Sequence, residues 1–255
     1  MIRLDNIHFA HKAVDGSHVP TLENICLHIN KNEFVSIVGP SGCGKTTLLE
    51  IMAGLKIPDV GKIEISCRKD DRKFGWAGYM SQADTLLPWR TVARNVQIGL
   101  EIRKVTKNKY KSRVAGLIRK VGLEGTQNRY PSELSGGMKK RVDLIRALAY
   151  DPEVLLLDEP FGALDAQTRE KLQQDLLSLW RDDKKTIVFV THDLIEAIML
   201  SDRIIMMSSR PSGIIREFRV KVPRPRHYHV QFSDEFIILH KKIRQLFIEQ
   251  AGENK

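Results

Sequence analysis

Glycines, a lysine and hydroxyls stand together in Gly39-Pro40-Ser41-Gly42-Cys43-Gly44-Lys45-Thr46-Thr47. Glycine lets successive backbone N–H groups turn inward on an anion, and a helix opening behind them adds positive potential. Lys45 supplies a fixed cation for phosphate oxygens, and the Thr46 hydroxyl suits Mg²⁺. The context is right: Phe34–Val38 before the loop is apolar and strand-like, and residues 46–53 after it read as helix. A second constellation lies further along. Leu134-Ser135-Gly136-Gly137-Met138 opens a helix, and the apolar run Val154-Leu155-Leu156-Leu157 then ends in Asp158-Glu159. At a strand end, successive side chains leave in different directions, so these two carboxylates can serve two tasks.

In this order and spacing the two constellations resemble the ATP-binding-cassette (ABC) ATPases. Gln82, after Gly78-Tyr79-Met80-Ser81, stands where that family has its Q-loop glutamine. Ala163-Leu164-Asp165 matches the D-loop, and His192 after Thr186-Ile187-Val188-Phe189-Val190 matches the switch histidine. The resemblance covers nearly the whole chain and implies ATP as nucleotide, with Mg²⁺ held by Thr46, Gln82 and Asp158. It makes Glu159 the group that polarises the attacking water. His192 then holds the γ-phosphate and the base geometry, and Gln82 reports occupancy to a partner. It also implies that Ser135, Gly136 and Gly137 close over the ATP of a facing subunit, with Asp165 at the same interface, in a head-to-tail homodimer. The chain departs from the family pattern at Met138, where most members carry Gln. His11 aligns with the usual adenine-stacking aromatic, and Phe9, one pleat away, is the rival for that role. Cys43 inside the loop reads as a small spacer or as an alkylation target.

Periodicity sets the elements that must carry these groups. Ile2 and Leu4, then Ile25, Leu27 and Ile29, alternate with polar residues as half-buried antiparallel strands do. Phe34–Val38, residues 154–157, 187–190 and 204–207 are continuous apolar runs, expected where a strand is covered on both faces. Leu172, Leu176, Leu179 and Trp180 keep one helical face. Val114, Leu117, Ile118 and Val121 form another, ended by Gly122, and Met138, Val142, Ile145 and Ala149 repeat the spacing. The expected fold is α/β: a P-loop NTPase core with a mostly parallel sheet, an antiparallel β subdomain and an inserted helical subdomain. The expected division is a core of residues 1–84 and 152–230, a helical subdomain at 85–151 and a terminal helix in 231–255. Pro223-Arg224-Pro225-Arg226 breaks regular structure before that helix, whose inward face is Phe236, Leu239, Ile243, Leu246 and Phe247.

The chain has 255 residues and a formal net charge of +10, which raises nucleic acid, an anionic membrane surface and plain solvation as readings. Stretches rich in Lys and Arg, residues 103–111, 139–141 and 216–226, lack the interleaved aromatics of a single-strand platform, so no nucleic-acid partner is expected. The apolar runs are too short to cross a bilayer, and Met1-Ile2-Arg3-Leu4-Asp5 lacks a signal-peptide core. The cysteines, Cys26, Cys43 and Cys67, have no metal-type spacing. Asp158-Glu159-Pro160-Phe161-Gly162-Ala163-Leu164-Asp165 resembles importer subunits. The Ser135 turn, Leu87-Pro88-Trp89-Arg90-Thr91-Val92 and Ser208-Ser209-Arg210-Pro211 look like the nitrate/sulfonate/taurine group, and systems for pyrimidine-type vitamin precursors share them. The expected function is an ATPase subunit energising uptake of a small oxyanion or organosulfonate, with a pyrimidine-type precursor as the alternative solute. A soluble cassette acting on DNA or ribosomes is the alternative of a different class. Implied partners are two transmembrane permease subunits and, indirectly, an extracytoplasmic binding protein, with the cassette peripheral on the cytoplasmic face of the inner membrane. In the family, the segment after Gln82 lies by the groove that receives the permease. Leu86, Leu87 and Trp89 are therefore read as either core or partner patch.

Overall fold

The computed structural model describes residues 1–66, 76–162 and 164–252; Cys67 and Ala163 lie outside the described residues. The chain forms two compact units, one of residues 1–76 and 185–255, the other of residues 77–184.

In the first unit, β1 (Ile2–Lys12) pairs antiparallel with both β2 (His18–Ile29) and β4 (Val60–Ile65), giving the order β2-β1-β4. Ile2 faces Ile29 and Leu4 faces Leu27, so the alternating residues of both strands bury one face of this layer. The antiparallel layer expected from the period is therefore present. The same unit holds β3 (Phe34–Val38), flanked by β7 (Thr186–Val190) and β8 (Arg203–Met207), both parallel to it. Every residue of β3 and β7 is buried, which is why these stretches carry no polar alternation. β9 (Ile214–Arg219) runs antiparallel to β8.

α1 (Lys45–Ala53) follows β3 through the glycine-rich loop and stops at Gly54, whose left-handed conformation lets its N–H return to the Glu50 and Ile51 carbonyls. α6 (Leu194–Leu200) follows β7, and α7 (Asp234–Gly252) closes the unit with Phe236 and Ile243 buried. The Pro223-Arg224-Pro225-Arg226 stretch is irregular and contributes cations to α6. Arg226 is buried and donates to the carbonyls of Ile198, Met199 and Ser201, and Arg224 donates to that of Leu200. The last carbonyls of a helix have no partner of their own, and the two arginines supply it.

The second unit pairs β5 (Ala77–Met80) with β6 (Val154–Asp158) in parallel register, Met80 beside Leu157. Its helices are α2 (Val92–Ile102), α3 (Lys107–Lys120), α4 (Gly136–Leu148) and α5 (Ala166–Asp183). Leu86, Val96, Leu100, Val114, Ile118, Val142 and Ile145 pack into one apolar core between them. Burial of each such side chain contributes about 1.5–3 kcal/mol. Gly122 ends α3 at a positive φ of 65°. Asn95, buried in α2, accepts from the Leu87 N–H and donates to the carbonyls of Leu87, Arg90 and Thr91. One amide thus fixes the segment between Gln82 and α2. Among the described residues no helix is long and apolar enough to cross a membrane.

Candidate functional site

In the first unit the buried β3 delivers the chain into a tight loop. Gly42 and Gly44 turn with φ of 75° and 105°, values an L side chain rarely adopts. A Cβ on Gly44 would stand 2.9 Å from both Leu22 Cδ2 and Thr21 Cγ2, so space and dihedral both demand glycine there. Gly44 is the N-cap of α1, and no side chain caps that helix. A helix N-terminus without a side-chain cap is the arrangement that binds phosphate. Lys45 is buried, and its ammonium donates to the carbonyls of Gly39 and Pro40, each at 2.8 Å. Thr46 and Ser41 are exposed, whereas Thr47 is buried.

Thr47 meets the other predicted nucleotide contact of this unit. Its Oγ1 lies 3.1 Å from His11 Nε2 across 36 positions of sequence. The His11 ring sits edge-on to Phe9, with centroids 5.0 Å apart, and the Lys56 ammonium is 5.6 Å from the Phe9 ring centre. Burial, then the charges of Lys56 and Arg210, hold the His11 pKa below its ordinary value, which favours the neutral ring. His11 and Phe9 therefore stand side by side near the loop.

His192 leaves the end of β7, the strand directly beside β3, with Val190 opposite Ile37. Its side chain is exposed, and its neighbours are fixed. The Thr191 hydroxyl donates to the buried Glu196 carboxylate at 2.7 Å and accepts from the Asp193 N–H at 3.0 Å. Asp193 in turn caps α6 through the N–H groups of Ile195 and Glu196. Nothing in residue type or spacing had singled out Thr191, Asp193 or Glu196; an Asp three residues ahead of a Glu at a strand end was the available signal.

The second unit brings together Gln82, Asp158 and Glu159. Because Met80 pairs with Leu157, residues just past the two strand ends stand opposite each other. Gln82 Nε2 donates to Glu159 Oε2 at 3.3 Å. Glu159 adopts a positive φ of 44°, rare for a residue with a Cβ and a mark of local strain at a turn. Asp158 is buried, whereas Glu159 is half-exposed, so the adjacent carboxylates have different surroundings. Lys140, read in the sequence only as part of a basic stretch, donates from α4 to the Gln82 carbonyl at 2.7 Å and fixes that loop. The candidate metal donors, Thr46, Gln82 and Asp158, offer hydroxyl, amide and carboxylate oxygen, a set that suits a hard cation such as Mg²⁺.

Ser135 is the N-cap of α4 and accepts from the Met138 N–H at 3.3 Å. A Cβ on Gly137 would meet Thr168 Cγ2 at 2.4 Å, whereas one on Gly136 meets nothing described within 4 Å. Asp165 is exposed and caps α5 by accepting from the Thr168 N–H at 3.0 Å; hydrogen bonds from Thr168 hold its carboxyl below the usual range. Leu86 joins the helical core, whereas Trp89 is 70% exposed. Trp89 borders a cleft of about 470 Å³ lined also by Arg90, Arg94, Gln97, Glu101 and Tyr110.

Comparison with known proteins adds to this geometry. The family model described as ABC transporter matches residues 22–162. An aliphatic sulfonates import ATP-binding protein, SsuB, of Bacillus cereus is 45% identical over 90% of this chain and 89% of its own length. A taurine import ATP-binding protein, TauB, of Ruegeria pomeroyi is 41% identical over 86% of this chain and 82% of its own. Among solved structures, an ATP-binding cassette in a dimeric post-hydrolysis state bound to ADP and Pi superposes with a TM-score of 0.76. It is 33% identical over 87% of this chain and 99% of that one.

Proposed function

We propose, because this chain belongs to the ABC transporter family, that it is the ATP-hydrolysing subunit that energises a membrane importer for organosulfonates or related small oxyanions. The observation that carries the chemistry is the pairing of Gln82 with a strained, half-exposed Glu159 at the ends of adjacent strands. The kinship with sulfonate and taurine import proteins carries the choice of solute.

In this reading, residues 39–47 receive the phosphates of ATP. The inward N–H groups of the loop bind them, and Lys45 exchanges a carbonyl for a phosphate oxygen. His11 stacks on adenine as a neutral ring, held in plane by Thr47 and backed by Phe9. Thr46, Gln82 and Asp158 would hold Mg²⁺, which when bound neutralises charge on the β- and γ-phosphate oxygens. With the Gln82 amide nitrogen on Glu159, the amide oxygen is the atom available to a cation. The Glu159 carboxylate accepts a hydrogen bond from a water in line with the γ-phosphorus. As the water oxygen bonds to phosphorus, one of its protons passes to the Glu159 carboxylate, the bond to the bridging oxygen breaks, and ADP and phosphate leave. His192 donates to the γ-phosphate oxygens as charge shifts.

Ser135, Gly136 and Gly137, with Asp165, act on the ATP held by a facing copy of the chain, in a head-to-tail homodimer. The open space beside Gly136 supports this, since no described residue gives a steric reason for glycine there. The dimer works with two transmembrane permease subunits and, through them, an extracytoplasmic binding protein, on the cytoplasmic face of the membrane. Trp89 and its cleft are the docking surface for the permease: a largely exposed indole beside arginines has the composition of an interface anchor.

Glu159→Gln tests the chemistry. It removes the base and leaves the phosphate contacts of Lys45 intact, so steady-state ATPase activity falls at least about 100-fold while nucleotide still binds. Size-exclusion chromatography with Mg-ATP then shows a trapped dimer. Near-normal turnover would remove Glu159 from this role.

A further inference from the structure

A loop that aims its N–H groups inward must aim its carbonyls outward, and each buried carbonyl needs a donor. In residues 39–44, Lys45 supplies the carbonyls of Gly39 and Pro40, and the Cys43 N–H also reaches Pro40 at 3.3 Å. The Cys43 carbonyl is served from far away in sequence: the hydroxyl of Ser212, fully buried, is nearest to it, with the Ser208 and Ser209 carbonyls of its own turn farther off at 3.1 and 3.4 Å. Ser212 is itself pinned on both sides. Its N–H donates to the Thr21 carbonyl at 2.9 Å, and its carbonyl accepts from the Glu23 N–H at 3.0 Å. The preceding strand β8 braces the same loop at its start, since a Cβ on Gly39 would stand 3.1 Å from the Met207 carbonyl.

We propose that Ser212 is a positioning residue for nucleotide binding: its hydroxyl holds the Cys43 peptide with the carbonyl outward, so that the N–H groups of the loop face the phosphates. The residue does not touch the nucleotide. It acts through one peptide plane next to Gly44, whose left-handed conformation begins α1. The turn between β8 and β9 thereby joins β2 to the phosphate loop, and a change in that turn reaches the nucleotide. Without the donor, the Cys43 carbonyl is buried unsatisfied or the peptide rotates, and rotation points an oxygen at the phosphates.

This inference rests on the ATPase reading, and the experiment separates the two. Nucleotide affinity of the full chain is measured with a fluorescent ATP analogue, alongside KM, kcat and melting temperature. Ser212→Ala, and Ser212→Cys as a variant that keeps volume but donates weakly, are expected to raise the dissociation constant and KM at least fivefold with kcat within twofold. Ser208→Ala is the control. The Ser208 hydroxyl binds the Ser209 carbonyl and the Gly213 N–H inside the same turn and does not reach the phosphate loop. It should lower the melting temperature with affinity unchanged. Wild-type affinity in both Ser212 variants, or an equal loss in Ser208→Ala, overturns the proposal. Failure of the unmodified chain to bind the analogue would overturn the ATPase reading itself.

Discussion

The N-termini of α1 and α4 use the same material, glycine at the start of a helix, and differ in what they leave free. Gly44 caps α1 with no side chain, and its φ of 105° and its close neighbours, Thr21 and Leu22, require glycine. That helix end is shaped by its own chain. α4 is capped from within by Ser135, which takes up one of the leading N–H groups. Gly137 packs against Thr168 of α5, while the space at Gly136 is open. One end is thus shaped within its own chain, as the proposed phosphate site requires; the other is open, as a proposed contact with a facing copy requires. The difference fits a site shared between copies, in which α1 holds a nucleotide and α4 of the other copy closes it.

The widest break of this comparison comes from separating the two ends between subunits. Lys45→Ala removes the cation of the α1 end, and Ser135→Arg fills the α4 end; each homodimer should be inactive. In a mixed dimer both defects fall in one site and the other site has sound parts. Random pairing then restores roughly a quarter of wild-type ATPase activity. Heterodimers verified by dual affinity tags yet inactive would mean that α4 acts on its own subunit.

The glycines sharpen the comparison at smaller cost. Gly44→Ala meets both a forbidden dihedral and its neighbours, so it should destabilise the fold by about 1–3 kcal/mol and weaken nucleotide binding at least tenfold. Gly136→Ala adds a methyl into open space and should leave stability within about 0.5 kcal/mol. Its ATPase activity should still fall roughly tenfold, through the facing copy's phosphate. Thermal unfolding and ATPase assays on the pair check this. If Gly136→Ala is silent in both, the open space has no partner.

Much of this was readable in the chain because local pattern and long-range role coincide. Phe34 to Val38 is apolar throughout because both faces are covered, and Ile2, Leu4, Ile25 and Ile29 alternate because one is. The loop glycines announce their dihedrals. What stayed unread are polar residues whose partners are distant. Ser212 serves a carbonyl 169 positions away, and Arg226 the end of a helix that begins beyond β7. Serine and arginine are common at surfaces, and periodicity carries no information about a single donor. The positive φ of Glu159 was equally silent, since only glycine and asparagine advertise that conformation.

The bodies of the two helices differ as their ends do. α1 keeps its one carboxylate, Glu50, half-buried against Lys56 at 2.8 Å. α4 buries Asp143, which pairs with Arg146 one turn on. Burial pushes the Asp143 carboxyl up to about 6, against the opposing charges of Arg146 and Lys140. An unfolded aspartate titrates near 3.9. Between those values the native state binds more protons than the unfolded one, so this group's contribution falls as pH rises from about 4 to about 6. At one pH unit per 1.36 kcal/mol, the charged form costs about 1–3 kcal/mol at pH 7.5. Asp143→Asn removes the charge and keeps the shape, and Arg146 retains the Thr85 carbonyl at 2.6 Å. The variant should gain about 1–2 kcal/mol over the wild type at pH 7.5 and nothing at pH 4. Urea unfolding at the two pH values measures it. A loss at pH 7.5 would mean that the pair with Arg146 outweighs the cost of burial, and that α4 is held by its charge rather than in spite of it.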